Sequence, residues 1–196
     1  MNVAILMPTL PNRTELRERA VASLYKQVYP ADWTVTVHQD INPLPTLGAK
    51  LNGMIAACTE EYIVLCDDDD WHSPARVQRQ VEPLLNGYEM TGTSQIYYID
   101  QRTKQGFLYK GNPKTTRQLW LGGMAFTRAL WKRQPFEDWT KGVDTRWQRS
   151  LKPKSLDLAD PALFICNIHG SNASPKNTGG WQKADYQMLE GMINAS

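Results

Sequence analysis

EYIVLCDDDDWHSP, residues 61–74, runs from an apolar segment into a block of acid. An apolar, β-branched run enters four consecutive aspartates and leaves through a tryptophan. Adjacent carboxylates repel and raise one another's pKa, so such a cluster is tolerable only where water solvates it or a cation shares it. The run itself reads as a buried strand. Ser73 followed by Pro74 reads as the N-cap and first residue of a helix that buries Val77, Val81 and Leu85.

Upstream, NVAILM (2–7) predicts a short buried strand, followed by the turn PTLPNR. From Arg13 to Val28, Leu16, Ala20, Leu24 and Val28 recur every four residues, the spacing of an amphipathic helix, which Pro30 then stops. WTVTVHQ (33–39) alternates as a strand does, and a second helix from Gly48 to Cys58 gathers Leu47, Leu51, Met54, Ile55 and Cys58 on one face. Strand and helix therefore alternate three times, which implies an α/β fold with a parallel sheet and helical crossovers. In such sheets ligands bind beyond the carboxyl ends of the strands. That rule brings PTLPNR, Asp40 and the aspartates to one cleft.

Beyond Gly92 the pattern changes. SQIYYID and GFLYKG flank QRTKQ as an antiparallel hairpin, LWLGGMAFT reads as a strand broken by two glycines, and helices are expected at 128–133 and 144–151. ALFICNIH (162–169) is the last expected strand, and 181–193 a closing helix. The 196 residues, 41% of them hydrophobic and 21% charged, suffice for one domain with a packed core. It is read as a nucleotide-sized half, 1–91, and a different half, 92–196.

No apolar run reaches the roughly 20 residues of a membrane helix, and the N-terminus lacks a basic region with an apolar core. Three cysteines without CxxC spacing fit thiols in a reducing compartment, so a soluble, cytoplasmic protein is expected. Residues 101–154 hold 13 Lys or Arg against three acids, whereas the rest of the chain has nine bases and 17 acids. A solvated surface is the plain explanation of that excess; a face for an anionic partner is the sharper one.

NVAILMPTLPNR, GAKLNGMIAACTEEYIVLCDDDDWHSPARV, GGMAF, FEDWTKGVDTRW and IHGSNAS together resemble, in order and spacing, the GT-A glycosyltransferases of family 2, over roughly residues 2–174. Aspartate pairs alone are common, but DxDDW between a buried strand and a Pro-initiated helix is far more specific. The resemblance implies a nucleotide-diphosphate sugar donor and a divalent cation, Mn²⁺ or Mg²⁺, whose preference for oxygen ligands suits the aspartates.

Carried over by position, Asp69 resembles the metal ligand, with His169 completing the metal shell or touching the diphosphate. Asp67 then lies near the ribose, Asp68 is the variable residue of the motif, and Asp70 faces the sugar. Pro8, Thr9 and Arg13 match the nucleotide-facing end of the first strand, Asp40 the residue that reads the base, and Lys50 and Asn52 the donor-side basic residue and asparagine. Trp181, in the glycine-containing stretch SPKNTGGWQ, is placed to close over the donor. Gly122, Gly123 and Met124 resemble the acceptor loop, where missing side chains admit a sugar to the backbone. Asp144 resembles the catalytic base although Val143 replaces the usual preceding acid, with Asp138 in reserve and, like Arg146, on the acceptor side. Plainer alternatives are a solvated loop for the aspartates, a turn cap for Asp40, a solvated helix lysine for Lys50, a bulge for the glycines, a helix cap for Asp144, a core histidine for His169 and a loop anchor for Trp181.

The expectation is a metal-dependent, inverting glycosyltransferase that uses a nucleotide-diphosphate sugar, a UDP-sugar first. Aromatic residues interleaved with Lys and Arg in the basic stretch suit an anionic acceptor such as a hydroxymethylated pyrimidine in DNA, as in phage-type DNA-modifying members. A cell-surface glycan or lipid-linked sugar is the alternative. A metal-dependent nucleotidyltransferase or phosphohydrolase is a rival without its phosphate-gripping GxxxxGK[ST] loop, and a non-catalytic nucleic-acid-binding module would leave the aspartates without purpose.

Overall fold

The apolar run before the aspartates does form a strand, and it lies directly beside the first one. In the computed structural model, which describes residues 1–43, 45–111, 119–170, 172 and 176–195, β1 (Asn2–Pro8) pairs in parallel with β2 (Thr34–Asp40) and with β3 (Tyr62–Leu65). The register sets Pro8 opposite Asp40 and Leu6 opposite Leu65. All three strands therefore end at one level. Lys114 and Arg117 of the basic stretch, and residues 171, 173 and 174 of IHGSNAS, lie outside the described residues.

Two crossovers bracket these strands. α1 (Thr14–Leu24) is shorter than the periodicity predicts: Val28 is exposed, and its N–H instead bonds Pro74 O at 2.8 Å, so the chain leaves the helix before Pro30 to meet the exit of the aspartate loop. α2 (Leu47–Ala57) lies within one residue of its expected limits at each end. Thr46 caps it by accepting from Ala49 N at 3.1 Å, satisfying one of the free N–H groups of the first turn.

The aspartates are followed by a second short strand, not directly by a helix. β4 (Trp71–His72) pairs antiparallel with a later strand, Phe164–Ile168, and Ser73 N bonds Leu163 O at 3.0 Å. Ser73 and Pro74 thus complete a loop, and α3 (Arg76–Leu85) starts behind Ala75 without a side-chain cap. Its buried stripe is Val77, Val81 and Leu84, a spacing of four and three, and Leu85 is exposed.

The second half supplies β5 (Met90–Gly92), the hairpin β6 (Gln95–Asp100) and β7 (Gln105–Lys110), β8 (Ala125–Thr127), α4 (Arg128–Arg133), α5 (Val143–Leu151), β9 (Ser155–Asp157) and β10 (Phe164–Ile168). The glycines before β8 form a 3₁₀ turn, Leu121–Gly123. The expected closing helix splits into β11 (Gln182–Ala184) and α6 (Tyr186–Ala195). Two mixed sheets result, ordered β2-β1-β3-β8-β5-β9 and β11-β7-β6-β10-β4. β8 runs antiparallel to both β3 and β5, so the first sheet draws on both halves of the chain. One core face packs Leu6, Ile55, Leu65, Phe126 and Trp147; the opposite face packs Ile5, Met7, Val64, Val77 and Val81.

Candidate active site

A cleft of about 680 Å³ opens where β1, β3 and β10 end. Its walls include Thr9, Arg13, all four aspartates, Gly122, Asp144 and Trp181. The strand ends were expected to converge, and the parallel register brings them together.

The acidic tip is held from three sides. Asp68, only 2% exposed, accepts from Thr9 Oγ1 at 2.5 Å and from Arg13 Nη1 at 2.6 Å, so it ties the tip to the loop after β1. Expected as the variable residue of the motif, it is in fact anchored by two side chains. Asp70 accepts from Asn167 N at 3.1 Å and from Cys166 Sγ at 3.0 Å, both on β10. Asn167 Nδ2 also donates to Asp69 O at 2.7 Å. Asp69 itself meets Arg13 Nη1 at 3.2 Å and His169 Nε2 at 3.0 Å.

Carboxylate oxygens of Asp67, Asp69 and Asp70 lie within 4.8 Å of one another. Desolvation, then repulsion from Asp69 and Asp68, pushes the Asp67 carboxyl up to about 7. The same causes, burial first and then Asp69 and Asp67, hold Asp70 well above the usual carboxylate range. A group of negative oxygens that resists ionising together is stabilised by positive charge, and an all-oxygen donor set is what a hard divalent cation takes. The three residues fit such an ion, with His169 in contact with Asp69.

Asp144 sits in the first turn of α5, behind Gly142 in the left-handed conformation (φ 68°), and is 8% exposed at the cleft wall. Thr145 Oγ1 lies 3.5 Å from its Oδ1. Gly122 reaches the cleft so closely that a Cβ there would overlap the Asp67 carboxylate.

Other expected residues are placed differently. Asn52 is spent on structure: its Nδ2 donates to Phe136 O at 2.8 Å, and its Oδ1 accepts from Trp131 Nε1 and Phe136 N. Asp40 closes a turn by accepting from both nitrogens of Asn42, at 2.8 and 2.9 Å, and does not line the cleft. Lys50 does line it, but its buried ammonium is committed to Thr9 O (2.6 Å) and Asn42 O (2.8 Å), joining the loops after β1 and β2. Burial lowers its pKa, against Asp40 and Asp68.

On the acceptor side, Met124 is fully buried in the core, and a Cβ on Gly123 would strike the Phe164 ring. Asp138 accepts from Thr46 Oγ1 and reinforces the cap of α2, and Arg146 stacks on Trp139 at 3.6 Å; neither lines the cleft. Trp181 does line it, wedged against Tyr98 (4.6 Å between ring centres) and Tyr109 (5.3 Å) just before β11, a packing that anchors the segment. The basic excess disperses: Arg128 grips Ile55 O and Glu60 O, Arg133 pairs with Glu89, and Lys154 lies over Tyr88.

Trp120, Lys141, Cys166, Asn167 and Lys176 also line the cleft. Trp120 and Lys141 belong to the basic, aromatic stretch expected to meet the acceptor; Cys166, Asn167 and Lys176 carry no site expectation from the sequence. For Cys166 and Asn167 a signal existed, because they sit near the carboxyl end of a strand just before His169, where the same rule of strand ends applies.

Among the described residues, no helix is long and apolar enough to cross a membrane. A family model described as glycosyl transferase family 2 matches residues 17–139. Among solved structures, S. aureus TarS 1–349 in complex with UDP-GlcNAc superposes with a TM-score of 0.65 at 13% identity, covering 100% of this chain and 66% of that one. The mannosyltransferase PcManGT from Pyrobaculum calidifontis, in complex with GDP-Man and Mn²⁺, gives 0.63 at 14% identity, covering 88% and 58%. The chain thus spans less than two thirds of either. No curated protein sequence matches it. At these identities the likeness concerns the fold, which is the GT-A arrangement.

Proposed function

The chain belongs to glycosyl transferase family 2, and on that premise we propose that it moves a sugar from a nucleotide-diphosphate donor to an acceptor hydroxyl with inversion at the anomeric carbon. The observation that carries this reading is the cleft that holds both the acidic tip and Asp144. Asp69, with Asp67 and Asp70, would hold Mn²⁺ or Mg²⁺. Such an ion, when bound, supplies positive charge against the departing diphosphate.

The chain's own residues do the rest. Arg13 and Lys176 line the cleft and suit phosphate oxygens, while the Thr9 to Asp68 bond fixes the nucleotide-side loop to the tip. Asp144 takes the proton from the acceptor hydroxyl as its oxygen attacks the anomeric carbon from the face opposite the diphosphate. One displacement inverts the configuration, and no covalent intermediate on the enzyme is needed. This assignment rests on Asp144 being the carboxylate of α5 at the cleft wall, whereas Asp138 is engaged elsewhere.

We take a UDP-sugar as the donor, supported by the fold likeness to TarS, whose structure holds UDP-GlcNAc. The acceptor half, 92–196, contributes Trp120, Lys141 and Trp181 to the cleft, which suits a ring-bearing, anionic acceptor. A hydroxymethylated pyrimidine in DNA is the acceptor we propose, with a cell-surface glycan or lipid-linked sugar as the contrasting arm.

The test is nucleoside diphosphate release from UDP- and GDP-sugars with Mn²⁺ or Mg²⁺, with and without hydroxymethylated DNA or glycan acceptors. Asp144→Asn is expected to lower kcat by about 10²-fold or more while nucleotide binding persists, the scale of a lost general base. Unchanged turnover in that variant removes the base assignment. Release of pyrophosphate from a nucleoside triphosphate would instead favour a nucleotidyltransferase.

A further inference from the structure

Beneath the acidic tip lies a charge that the proposed reaction does not use. Arg76, at the start of α3, is fully buried, and among the described residues its hydrogen-bond partners are neutral: Leu65 O at 2.5 Å, Gly122 O at 2.6 Å, His72 Nδ1 at 2.5 Å and Gln80 Oε1 at 2.9 Å. The Phe164 ring covers it at 5.0 Å. Burying a guanidinium is costly, and here the four hydrogen bonds, the ring and the attraction of the nearby Asp67 carboxylate offset it. Two of those bonds end directly beside the cleft lining. Leu65 is the last residue of β3 before the tip, and Gly122 is the residue that abuts the Asp67 carboxylate.

Two neighbours extend the set. An arginine only donates, so His72 Nδ1 must be the accepting nitrogen, and His72 Nε2 carries the proton it offers to Asp67 O at 3.3 Å. Gln80, also fully buried and one turn along α3, turns its amide to Gly123 O at 2.5 Å while its Oε1 accepts from Arg76. The glycine turn has a carbonyl on each of these two side chains, and the tip is tied in through Leu65 and His72.

We propose that Arg76, with Gln80 and His72, is the positioning hub of the site: it fixes the glycine turn against the acidic tip, beside the cleft in which the donor sugar meets its acceptor. The hub touches no substrate and acts through Asp67 and Gly122. Because reacting groups misplaced by about 1 Å can lose around 10²-fold in rate without losing ligand affinity, a defect here falls on kcat and spares binding. This inference rests on the glycosyltransferase reading of the cleft.

The experiment uses Gln80→Met, which keeps charge and approximate volume, beside Arg76→Met and Arg76→Lys. Folding is followed by circular dichroism, binding of UDP or GDP with Mn²⁺ by calorimetry, and kcat and KM by nucleoside diphosphate release from the UDP- or GDP-sugar that the wild type turns over, with water as acceptor. Folded Gln80→Met is expected to keep the nucleotide Kd and the donor KM within about twofold and to lose at least tenfold in kcat. Arg76→Lys is expected to recover part of what Arg76→Met loses. The hub is overturned if Gln80→Met turns over like the wild type, or if Kd weakens by the same factor as kcat falls. A wild-type protein that binds neither nucleotide with Mn²⁺ removes the glycosyltransferase reading itself, and the hub with it.

Discussion

Neutralising Asp67 offers the most direct test of the electrostatics of the tip. Its carboxyl is pushed up to about 7 from an ordinary 3.8. Below about pH 4 the folded and unfolded chains both hold the proton. Between about 4 and 7 the folded state keeps a proton that the unfolded chain has released, so stability falls as pH rises, and above 7 the loss is complete. A span of about three pH units at 1.36 kcal/mol each gives at most about 4 kcal/mol. For a chain of this size that corresponds to roughly 8–16 °C in Tm.

A divalent cation reverses the penalty, since a ligand at a hundred times its Kd returns about 2.7 kcal/mol and competes with the proton. The assay is thermal unfolding between pH 4 and 8, with and without Mn²⁺, for the wild type and Asp67→Asn. The metal-free wild type should lose stability across that window relative to Asp67→Asn, and Mn²⁺ should stabilise the wild type more at pH 8 than at pH 5. Equal pH slopes in the two proteins, or equal Mn²⁺ stabilisation at both pH values, would overturn this account of Asp67.

Two further outcomes follow from the same structure. Burial pushes Glu60 up, but the His38 side chain at 2.9 Å and the backbone N–H groups of Glu60 and Thr59 outweigh it and bring the carboxyl down to about 2. Its contribution is therefore complete above about pH 4.5 and lost as pH falls toward 2; discounted for the solvent around His38, Glu60→Gln should cost about 1–2 kcal/mol at pH 7 and nothing at pH 2, read by urea unfolding. Gly122→Ala places a methyl group against the Asp67 carboxylate, so calorimetry should show Mn²⁺ affinity reduced tenfold or more in a folded protein; unchanged affinity would mean that the turn yields.

Most of the first half of the fold was legible because its elements carry their own period: β1 and β3 by apolar runs, β2 by its alternation and α2 by its stripe. The misjudged limits share one cause. α1, α3 and the segment after Trp181 are each ended or delayed by a hydrogen bond to a distant strand or loop, such as Ser73 N to Leu163 O or Lys183 in register with Phe107, and no local pattern encodes such a bond. The cleft could be located from strand ends alone. Its detail could not, because whether Asn52 or Asp40 faces the cleft or a neighbouring backbone group is decided by tertiary packing: Asn52 serves Phe136 from 84 positions away. Likewise a tripled carboxylate repulsion is visible in DDDD, but the anchoring of Asp68 by Thr9 and Arg13 appears only once β1 and β3 are side by side.

β8 lies between β3 and β5, which makes the first sheet a shared plate and not the property of the nucleotide-sized half. Expressed alone, residues 1–91 would leave the flank of β3 bare at Ile63 and Val64, an adhesive border that recruits further copies and precipitates. The glycine turn leads directly into β8, so swapping the distal portion for another to retarget the molecule would also replace a central rib of its scaffold. Diversification is accordingly cheapest at the rim, in segments such as 140–142 and 177–180, which border the cleft without carrying the sheet.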